Sequence, residues 1–141
     1  MRGEFLDLGP HRLYYYAAGT RGAGEPVLFL HGFPSSSHLW SSIVRSMPGG
    51  HRLIVLDQLG YGRSDRPDGV PVTVSAHARR ALAVLDELNV PQACIVGHDL
   101  GGAVGQWLAL HAPERVTRLA LINSVGLDAW PRWRTRMARS L

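Results

Sequence analysis

The sequence predicts an α/β fold with a mostly parallel sheet. Short apolar runs alternate along the chain with longer segments of helical periodicity, and the inner runs are continuously apolar rather than alternating with polar residues. Continuous apolar runs are typical of parallel strands that helices cover on both faces. Their alternation with helical segments indicates that helices connect successive parallel strands.

The first part of the chain predicts a hairpin and then a buried strand. Residues 4–8 and 12–18 are separated by Gly9 and Pro10, which favour a turn, so the two segments are expected to pair as a β-hairpin. Residues 27–30 have the sequence Val-Leu-Phe-Leu and predict a third strand inside the sheet.

The middle of the chain predicts a helix, a strand and a loop. Residues 38–47 follow the turn-rich sequence Phe-Pro-Ser-Ser-Ser and predict a helix, and the apolar residues 53–56 predict the fourth strand. Residues 57–70 are rich in glycine and predict a structural loop, in which Asp57 and Ser64 can hydrogen-bond nearby backbone.

Residues 75–89 predict an amphipathic helix with Ser75 as its N-cap, because a serine hydroxyl can accept a hydrogen bond from the first helical turn. Apolar residues recur in it at spacings of four, three and three, as one buried face requires. These residues are Ala78, Leu82, Leu85 and Leu88, and the polar residues expected largely outside that face are His77, Arg79, Arg80 and Glu87.

The last part of the chain predicts a strand, a helix and a strand. Residues 93–96 predict the fifth strand, residues 100–111 a helix that Pro113 closes, and residues 119–122 the sixth strand. Six strands with flanking helices are therefore expected.

The formal net charge of +4 comes entirely from one end of the chain. Residues 1–128 hold eleven Arg and eleven Asp or Glu, whereas residues 129–141 hold four Arg and no acid. A nucleic-acid-binding domain would carry its basic residues as a stripe across the fold, so no nucleic-acid partner is expected. The sequence contains no Lys, which excludes a P-loop lysine and a Schiff-base lysine.

The sequence favours a cytoplasmic protein that does not enter a membrane. The single cysteine, Cys94, excludes an internal disulfide and fits a reducing compartment. The first residues are charged where a signal peptide would be apolar, and no run reaches the roughly 18 apolar residues of a membrane span. No metal is expected, because metal-ligand spacing is absent among His11, His38, His51, His77 and His111. No cofactor is expected either.

The sequence Gly97-His98-Asp99-Leu100-Gly101 joins the fifth strand to the helix after it. Its Gly-x-Asp-x-Gly pattern is typical of a nucleophile elbow, a strained turn that lifts the central side chain above the sheet. The two glycines lack the Cβ atoms that would collide in so tight a turn. The lifted residue is Asp99.

Asp99 is a candidate nucleophile because a carboxylate is already an anion at neutral pH. It suits displacement of a leaving group from saturated carbon, which gives an alkyl-enzyme ester. The turn also places backbone N–H groups at a helix N-terminus, where they stabilise negative charge. The simpler interpretation is that Asp99 only tolerates an unusual backbone angle. The register of strand, glycines and helix favours the catalytic interpretation.

Three motifs occur in order along the chain: His-Gly-Phe-Pro at 31–34, Asp-Gln-Leu-Gly-Tyr-Gly-Arg-Ser-Asp at 57–65, and the elbow around Asp99. With them, essentially the whole chain resembles the N-terminal part of the α/β-hydrolase fold. More narrowly, it resembles the members with an aspartate nucleophile, which are the epoxide hydrolases and the haloalkane and fluoroacetate dehalogenases.

The resemblance implies roles for the residues around Asp99. The backbone N–H groups of Phe33 and Leu100 would form the oxyanion hole for the ester intermediate. His31 is a candidate base, but in this motif the histidine more often shapes the loop. The other residues implied to support the site are Gly32, Pro34, Gly97, His98 and Gly101.

The resemblance implies a small epoxide or organohalide as the substrate of an intact relative. Haloalkane dehalogenases usually carry Trp directly after the nucleophile and often a second halide donor after His-Gly, whereas this chain has Leu100 and Phe33. An epoxide-hydrolase-like activity is therefore expected ahead of a dehalogenase-like one, although related C–C hydrolases and esterases share the His-Gly-Phe-Pro loop. No Gly-x-Ser-x-Gly pattern occurs, which argues against a serine esterase.

The sequence is expected to lack part of the catalytic machinery. In the family that it resembles, an acid and a histidine follow the nucleophile, but no histidine follows His111 and the position after the sixth strand holds Asn123. Residues 1–125 are interpreted as the N-terminal half of a catalytic domain, truncated before a seventh strand, and residues 126–141 as the start of a cap. Such a chain would be alkylated at most once.

A second hypothesis is a non-catalytic module kept for binding or dimerisation. If the family's strand order holds, residues 119–122 form an exposed apolar edge that invites pairing with another chain. A binding module would be indifferent to Asp99→Asn, whereas a catalytic fragment would regain activity when the missing C-terminal half is supplied.

Overall fold

A six-stranded sheet forms the centre of the fold. The structure is a computed structural model that describes residues 3–19 and 24–126. The strands are β1 (Gly3–Leu8), β2 (His11–Gly19), β3 (Val27–Leu30), β4 (Arg52–Leu56), β5 (Ala93–His98) and β6 (Val116–Ile122).

The strands lie in the order β1-β2-β4-β3-β5-β6. The first two form an antiparallel hairpin, and β2 also pairs antiparallel with β4, whereas β4, β3, β5 and β6 run parallel. The predicted hairpin, the six strands and the mostly parallel sheet are therefore confirmed.

Helices connect the parallel strands within the described residues. They are α1 (Ser41–Ser46), α2 (Val74–Glu87) and α3 (Leu100–His111), with 3-10 turns at Ser37–Trp40 and Pro113–Arg115. Residues 38–47 were predicted as one helix, and the structure divides this segment into a 3-10 turn and the short α1. The hydroxyl of Ser36 accepts a hydrogen bond from the His38 N–H at 3.3 Å and starts that turn.

The parallel strands are buried on both faces, as their continuous apolar sequences predict. In β3, Leu28 and Leu30 pack into a hydrophobic cluster with side chains of α2 and α3, whereas Val27 and Phe29 pack into a second cluster with Trp40. Because successive strand side chains point to opposite faces, each face needs its own apolar residues. The sheet therefore has a hydrophobic core on each side, which holds its carboxyl edge in place.

Helix α2 begins one residue earlier than predicted, and its N-cap is Thr73 rather than Ser75. The Thr73 backbone is extended, and its Oγ1 accepts a hydrogen bond from the Ala76 N–H at 3.2 Å. Both side chains are able to cap a helix, but only Thr73 lies before the first helical residue.

His77 lies on the buried side of α2, so the prediction that it lies outside the apolar face was wrong. Its relative exposure is 2%, and its ring packs against Tyr61 with the centroids 6.0 Å apart. Small neighbours on the helix, Ala76, Ala78 and Ala81, are buried with it. These alanines widen the buried face and bring the imidazole under the loop that follows β4.

Strand β6 lies at one edge of the described sheet and pairs with β5. Leu121 and Ile122 in it are 46% and 41% exposed. Residues 127–141, which make up nearly all of the predicted cap segment, lie outside the described residues. None of the helices in the described ranges combines the length and apolarity that a bilayer span requires.

Candidate active site

Asp99 occupies the turn between β5 and α3, at the carboxyl edge of the sheet. Its backbone has φ 51° and ψ −115°, and its side chain makes no capping hydrogen bond to α3. A non-glycine residue in such a conformation costs about 1–3 kcal/mol, so the surrounding structure must hold it there. The N–H of Gly102 donates to the Asp99 carbonyl oxygen at 3.0 Å and contributes to that hold.

Two glycines make this turn sterically feasible. A Cβ atom on Gly97 would overlap the carbonyl group of Gly101, and a Cβ atom on Gly101 would overlap the carbonyl oxygen of Leu30. Helix α3 therefore starts almost in contact with the backbones of β5 and β3, and the predicted reason for these glycines agrees with the packing.

The backbone N–H of Phe33 donates a hydrogen bond to Oδ1 of Asp99 at 3.0 Å. Gly32 permits this approach, since a Cβ atom there would lie 2.5 Å from the Cβ of Asp99. Leu100 follows Asp99 and is the first residue of α3, so its N–H belongs to the N-terminal turn of the helix. The structure thus brings Phe33, Asp99 and Leu100 together.

His31 connects two loops beside the elbow. Its Nδ1 lies 2.8 Å from the carbonyl oxygen of Gly32, and its Nε2 accepts a hydrogen bond from the Gln58 N–H at 3.1 Å. The Gln58 side chain in turn donates to the His31 carbonyl oxygen at 2.7 Å. Burial lowers the pKa of His31, which favours the neutral ring with Nδ1 as the donor. With both ring nitrogens engaged, His31 bridges its own loop and the loop after β4.

Pro34 and His98 lie beside these residues. The Phe33–Pro34 peptide bond is cis, and Pro34 is exposed. A Cβ atom on Gly32 would lie 2.9 Å from Nδ1 of His98, so the half-buried His98 ring packs against the His-Gly-Phe-Pro loop. Both residues border the site.

Asp57 organises the loop after β4. Its Oδ1 accepts a hydrogen bond from the Ser37 N–H at 2.5 Å, and its Oδ2 accepts one from the Arg63 N–H at 2.8 Å. The Ser64 hydroxyl donates to the Asp57 carbonyl oxygen at 2.6 Å. The predicted structural role of Asp57 and Ser64 in this loop is confirmed.

Tyr61 is a site residue that the sequence did not reveal. Its ring makes edge-on contacts with His31 and Phe33, with centroid separations of 5.5 and 6.2 Å. Burial raises the pKa of Tyr61, and the negative charge of Asp99 raises it further. The Tyr61 hydroxyl therefore stays protonated at neutral pH within electrostatic range of the carboxylate. The only signal in the sequence is an aromatic residue between two glycines of the second motif.

The elbow is also tied to the edge strand β6. The N–H of Asp99 donates to the Ile122 carbonyl oxygen at 3.3 Å, and Asn123 follows with φ 42°. Asn123 is exposed, and the residue directly after β6 therefore carries an amide rather than an acid. Among the described residues, no three His, Cys, Asp or Glu side chains are grouped so that they could hold a metal ion.

The chain is similar to enzymes with several activities. It is 37% identical over 124 residues to a cis-3-alkyl-4-alkyloxetan-2-one decarboxylase of Shewanella oneidensis, a match that covers 86% of this chain and 38% of that protein. It is 37% identical over 123 residues to a haloalkane dehalogenase of Agrobacterium fabrum, covering 84% and 40% of the two chains. The chain therefore spans about two-fifths of the length of these curated relatives.

The fold is shared with solved structures. A hydrolase from Pseudomonas aeruginosa superposes with a TM-score of 0.84 at 33% identity, over 97% of this chain and 52% of that one. A family model described as the alpha/beta hydrolase fold matches residues 25–141. Together with the elbow and the mostly parallel sheet, these matches show that the chain belongs to the α/β-hydrolase fold family.

Proposed function

We propose that Asp99 is the nucleophile of a hydrolase that opens a small epoxide or displaces halide from an organohalide. The observation that carries this proposal is the hydrogen bond from the Phe33 N–H to Oδ1 of Asp99, in a residue held at φ 51°. The bond fixes one carboxylate oxygen and leaves Oδ2 as the attacking atom.

In the first step, Oδ2 of Asp99 attacks a saturated carbon of the substrate. A new C–O bond forms while the carbon–oxygen bond of the epoxide, or the carbon–halogen bond, breaks and its electron pair stays on the departing oxygen or halide. An epoxide oxygen then takes up a proton from solvent. The product is an ester of Asp99 in which Oδ1, held by Phe33, becomes the carbonyl oxygen.

In the second step, water adds to Cγ of the Asp99 ester and negative charge develops on Oδ1. The N–H groups of Phe33 and Leu100 are the proposed donors to this charge, and losing one such donor typically costs about 3 kcal/mol of transition-state stabilisation. Hydrolysis of the ester also needs a base that takes a proton from the attacking water. Because both ring nitrogens of His31 are engaged and no histidine follows His111, we propose that these 141 residues alone form the ester but do not turn over.

We place an epoxide ahead of an organohalide. A departing halide is stabilised by N–H donors, and the residue after the nucleophile is Leu100, an aliphatic side chain that is 2% exposed. The similarity to the haloalkane dehalogenase of Agrobacterium fabrum supports the organohalide as the second candidate.

Trapping the ester tests this proposal. The chain is incubated with styrene oxide or an alkyl bromide and analysed by intact mass, with Asp99→Asn as the matched control because the amide keeps the shape and loses the charge. We expect one substrate mass added to the wild-type chain and none to the variant. No adduct on the wild-type chain, or equal labelling of both proteins, would contradict the proposal.

The second candidate function is self-association through β6. The exposed Leu121 and Ile122 at the edge of the described sheet favour it, because an apolar edge strand can pair with a strand of another copy. Light scattering of the wild-type chain and of Leu121→Arg distinguishes the cases. Self-association predicts a dimer that the substitution weakens, and a monomeric wild-type chain at high concentration would contradict it.

A further inference from the structure

A polar cavity lies against the loop after β4 and shares none of the reacting groups of the elbow site. Its volume is about 230 Å³, and its lining comes from β2, from the Ser37–Trp40 turn with α1, and from the loop after β4. Phe33, Asp99 and Leu100 are not part of the lining. The residues that matter to its chemistry are Tyr16, Ser37, Ser41, Arg45, Asp57 and Arg63.

The floor of this cavity is made of buried polar side chains. Tyr16 and Ser37 are each 6% exposed, and Asp57 is 1% exposed. Burial raises the pKa of Tyr16, while a hydrogen bond with the Ser41 side chain and the charge of Arg45 oppose the rise. The Tyr16 hydroxyl already donates to the Ser37 carbonyl oxygen at 3.4 Å, so the donors that remain beside it are the Ser41 hydroxyl and the Arg45 guanidinium.

The cavity carries a net positive charge. Arg45 and Arg63 contribute +2, and Asp57 contributes −1, which leaves +1. Both oxygens of Asp57 already accept backbone N–H groups, from Ser37 and Arg63. The carboxylate is therefore held by neutral donors and does not neutralise either guanidinium by direct contact.

Among the described residues, the guanidinium groups of Arg45 and Arg63 form no ion pair with an acidic side chain. The ion pairs in this part of the chain involve Arg12, Arg115 and Arg118. Arg45 only reaches the Ser42 hydroxyl at 3.4 Å, and Arg63 reaches the Tyr14 hydroxyl at 3.3 Å. The Arg63 guanidinium also lies over the Tyr14 ring, 5.0 Å from its centroid. Because these contacts are with neutral groups, both cations keep a charge that an anion can pair with.

We propose that this cavity binds hydrogen phosphate. Its volume exceeds the roughly 30 Å³ that a water molecule occupies in the liquid and falls below the roughly 300–1,000 Å³ of sites for larger ligands, so a small ion fits it. The arginines recognise the oxyanion charge through charge-assisted hydrogen bonds. Each oxygen of Asp57 accepts one N–H group and keeps a further lone pair, so the carboxylate can also accept the O–H of an oxyanion that still carries a proton. A fully deprotonated oxyanion has no such donor.

Isothermal titration of the chain with inorganic phosphate tests the proposal at about pH 7.5 and constant ionic strength. Sulfate and methyl phosphate are the comparison ligands. At this pH sulfate carries no proton, and a phosphate monoester, whose second pKa is about 6, is almost wholly unprotonated, whereas inorganic phosphate keeps at least one proton. We expect phosphate to bind more tightly than either.

The protein variants are Arg45→Ala, Arg63→Ala and their double variant. Both side chains are exposed, so their truncation should leave the core intact, and thermal unfolding of each variant checks this. Arg79→Ala is the charge-matched control, since Arg79 lies on α2 outside the cavity lining. We expect each cavity variant to weaken phosphate binding about tenfold or more and the control to leave it unchanged.

Three results would overturn the proposal: no saturable phosphate binding up to about 10 mM, undiminished binding by the double variant, or an equal loss in Arg79→Ala. Sulfate or methyl phosphate binding as tightly as phosphate would overturn the assignment to hydrogen phosphate. If an alanine variant unfolds, Arg45→Gln or Arg63→Gln replaces it. Glutamine also removes the positive charge, so the same weakening of phosphate binding is expected.

Discussion

The backbone N–H of Phe33 lies 3.0 Å from Oδ1 of Asp99 and donates a hydrogen bond to it. In an elbow with a neutral nucleophile, this donor would be kept for an oxygen of the substrate. Here it already holds an oxygen of Asp99, and in the proposed reaction that oxygen would become the carbonyl oxygen of an Asp99 ester. In the proposed reaction the same contact would orient the carboxylate before attack and stabilise the charge that develops when water cleaves the ester.

Gly101→Ala is expected to destabilise the fold strongly. The new methyl group would overlap the carbonyl oxygen of Leu30, and this backbone atom cannot move without shifting β3. We expect a loss of about 3 kcal/mol in the free energy of unfolding, measured by urea denaturation.

Gly49→Ala is the matched control, because a Cβ atom at Gly49 meets nothing within 4 Å. It should change stability by less than about 1 kcal/mol. Equal effects of the two substitutions would contradict the close contact between α3 and β3.

Thr73→Ala is expected to destabilise the chain by about 1 kcal/mol, because it removes the acceptor for the Ala76 N–H at the start of α2. Ser75→Ala provides the comparison, since Ser75 lies inside the first turn and should cost less. Thermal unfolding of both variants measures the difference. A larger loss of stability in Ser75→Ala than in Thr73→Ala would contradict Thr73 as the N-cap and favour Ser75, the residue that the sequence predicted.

His77 is expected to make stability depend on pH. Burial first, and then the charges of Arg80 and His31, lower its pKa from 6.5 to about 4. Between these values the unfolded chain binds a proton at His77 and the folded chain does not. As the pH falls from about 6.5 toward about 4, the free energy of unfolding therefore decreases by about 3 kcal/mol because of His77. Above about pH 6.5 this stability is fully present.

His77→Leu should reduce this loss. The free energies of unfolding of the wild type and the variant are compared at about pH 7.5 and about pH 4.5, so that any constant packing difference cancels. His31 contributes in the same direction because burial lowers its pKa too, so part of the pH dependence remains. Equal losses in the two proteins would show that His77 is not buried in its neutral form.

The strands and the elbow could be predicted because local sequence determines them. The continuous apolar residues of β3 need a buried environment on both faces, and α3 begins and ends at the predicted residues, Leu100 and His111. Gly97 and Gly101 could be interpreted for the same reason. A turn this tight leaves no room for a Cβ atom at either position.

Contacts between distant parts of the chain could not be predicted. Tyr61 meets Phe33 only after the loop after β4 has folded over the His-Gly-Phe-Pro loop. Asp57 accepts the N–H of Ser37, which lies 20 residues earlier, and this contact helps to form the polar cavity. His77 has the polarity of a surface residue, and its burial depends on the loop that covers it.

Tandem mass spectrometry of the chain after incubation with styrene oxide tests the central claim most directly, because it locates the bond that the substrate forms. The proposed chemistry predicts an ester on the peptide that contains Asp99, with the added mass on the Asp99 side chain and no label in Asp99→Asn. A label on another residue, or a label that persists in the variant, would contradict Asp99 as the nucleophile.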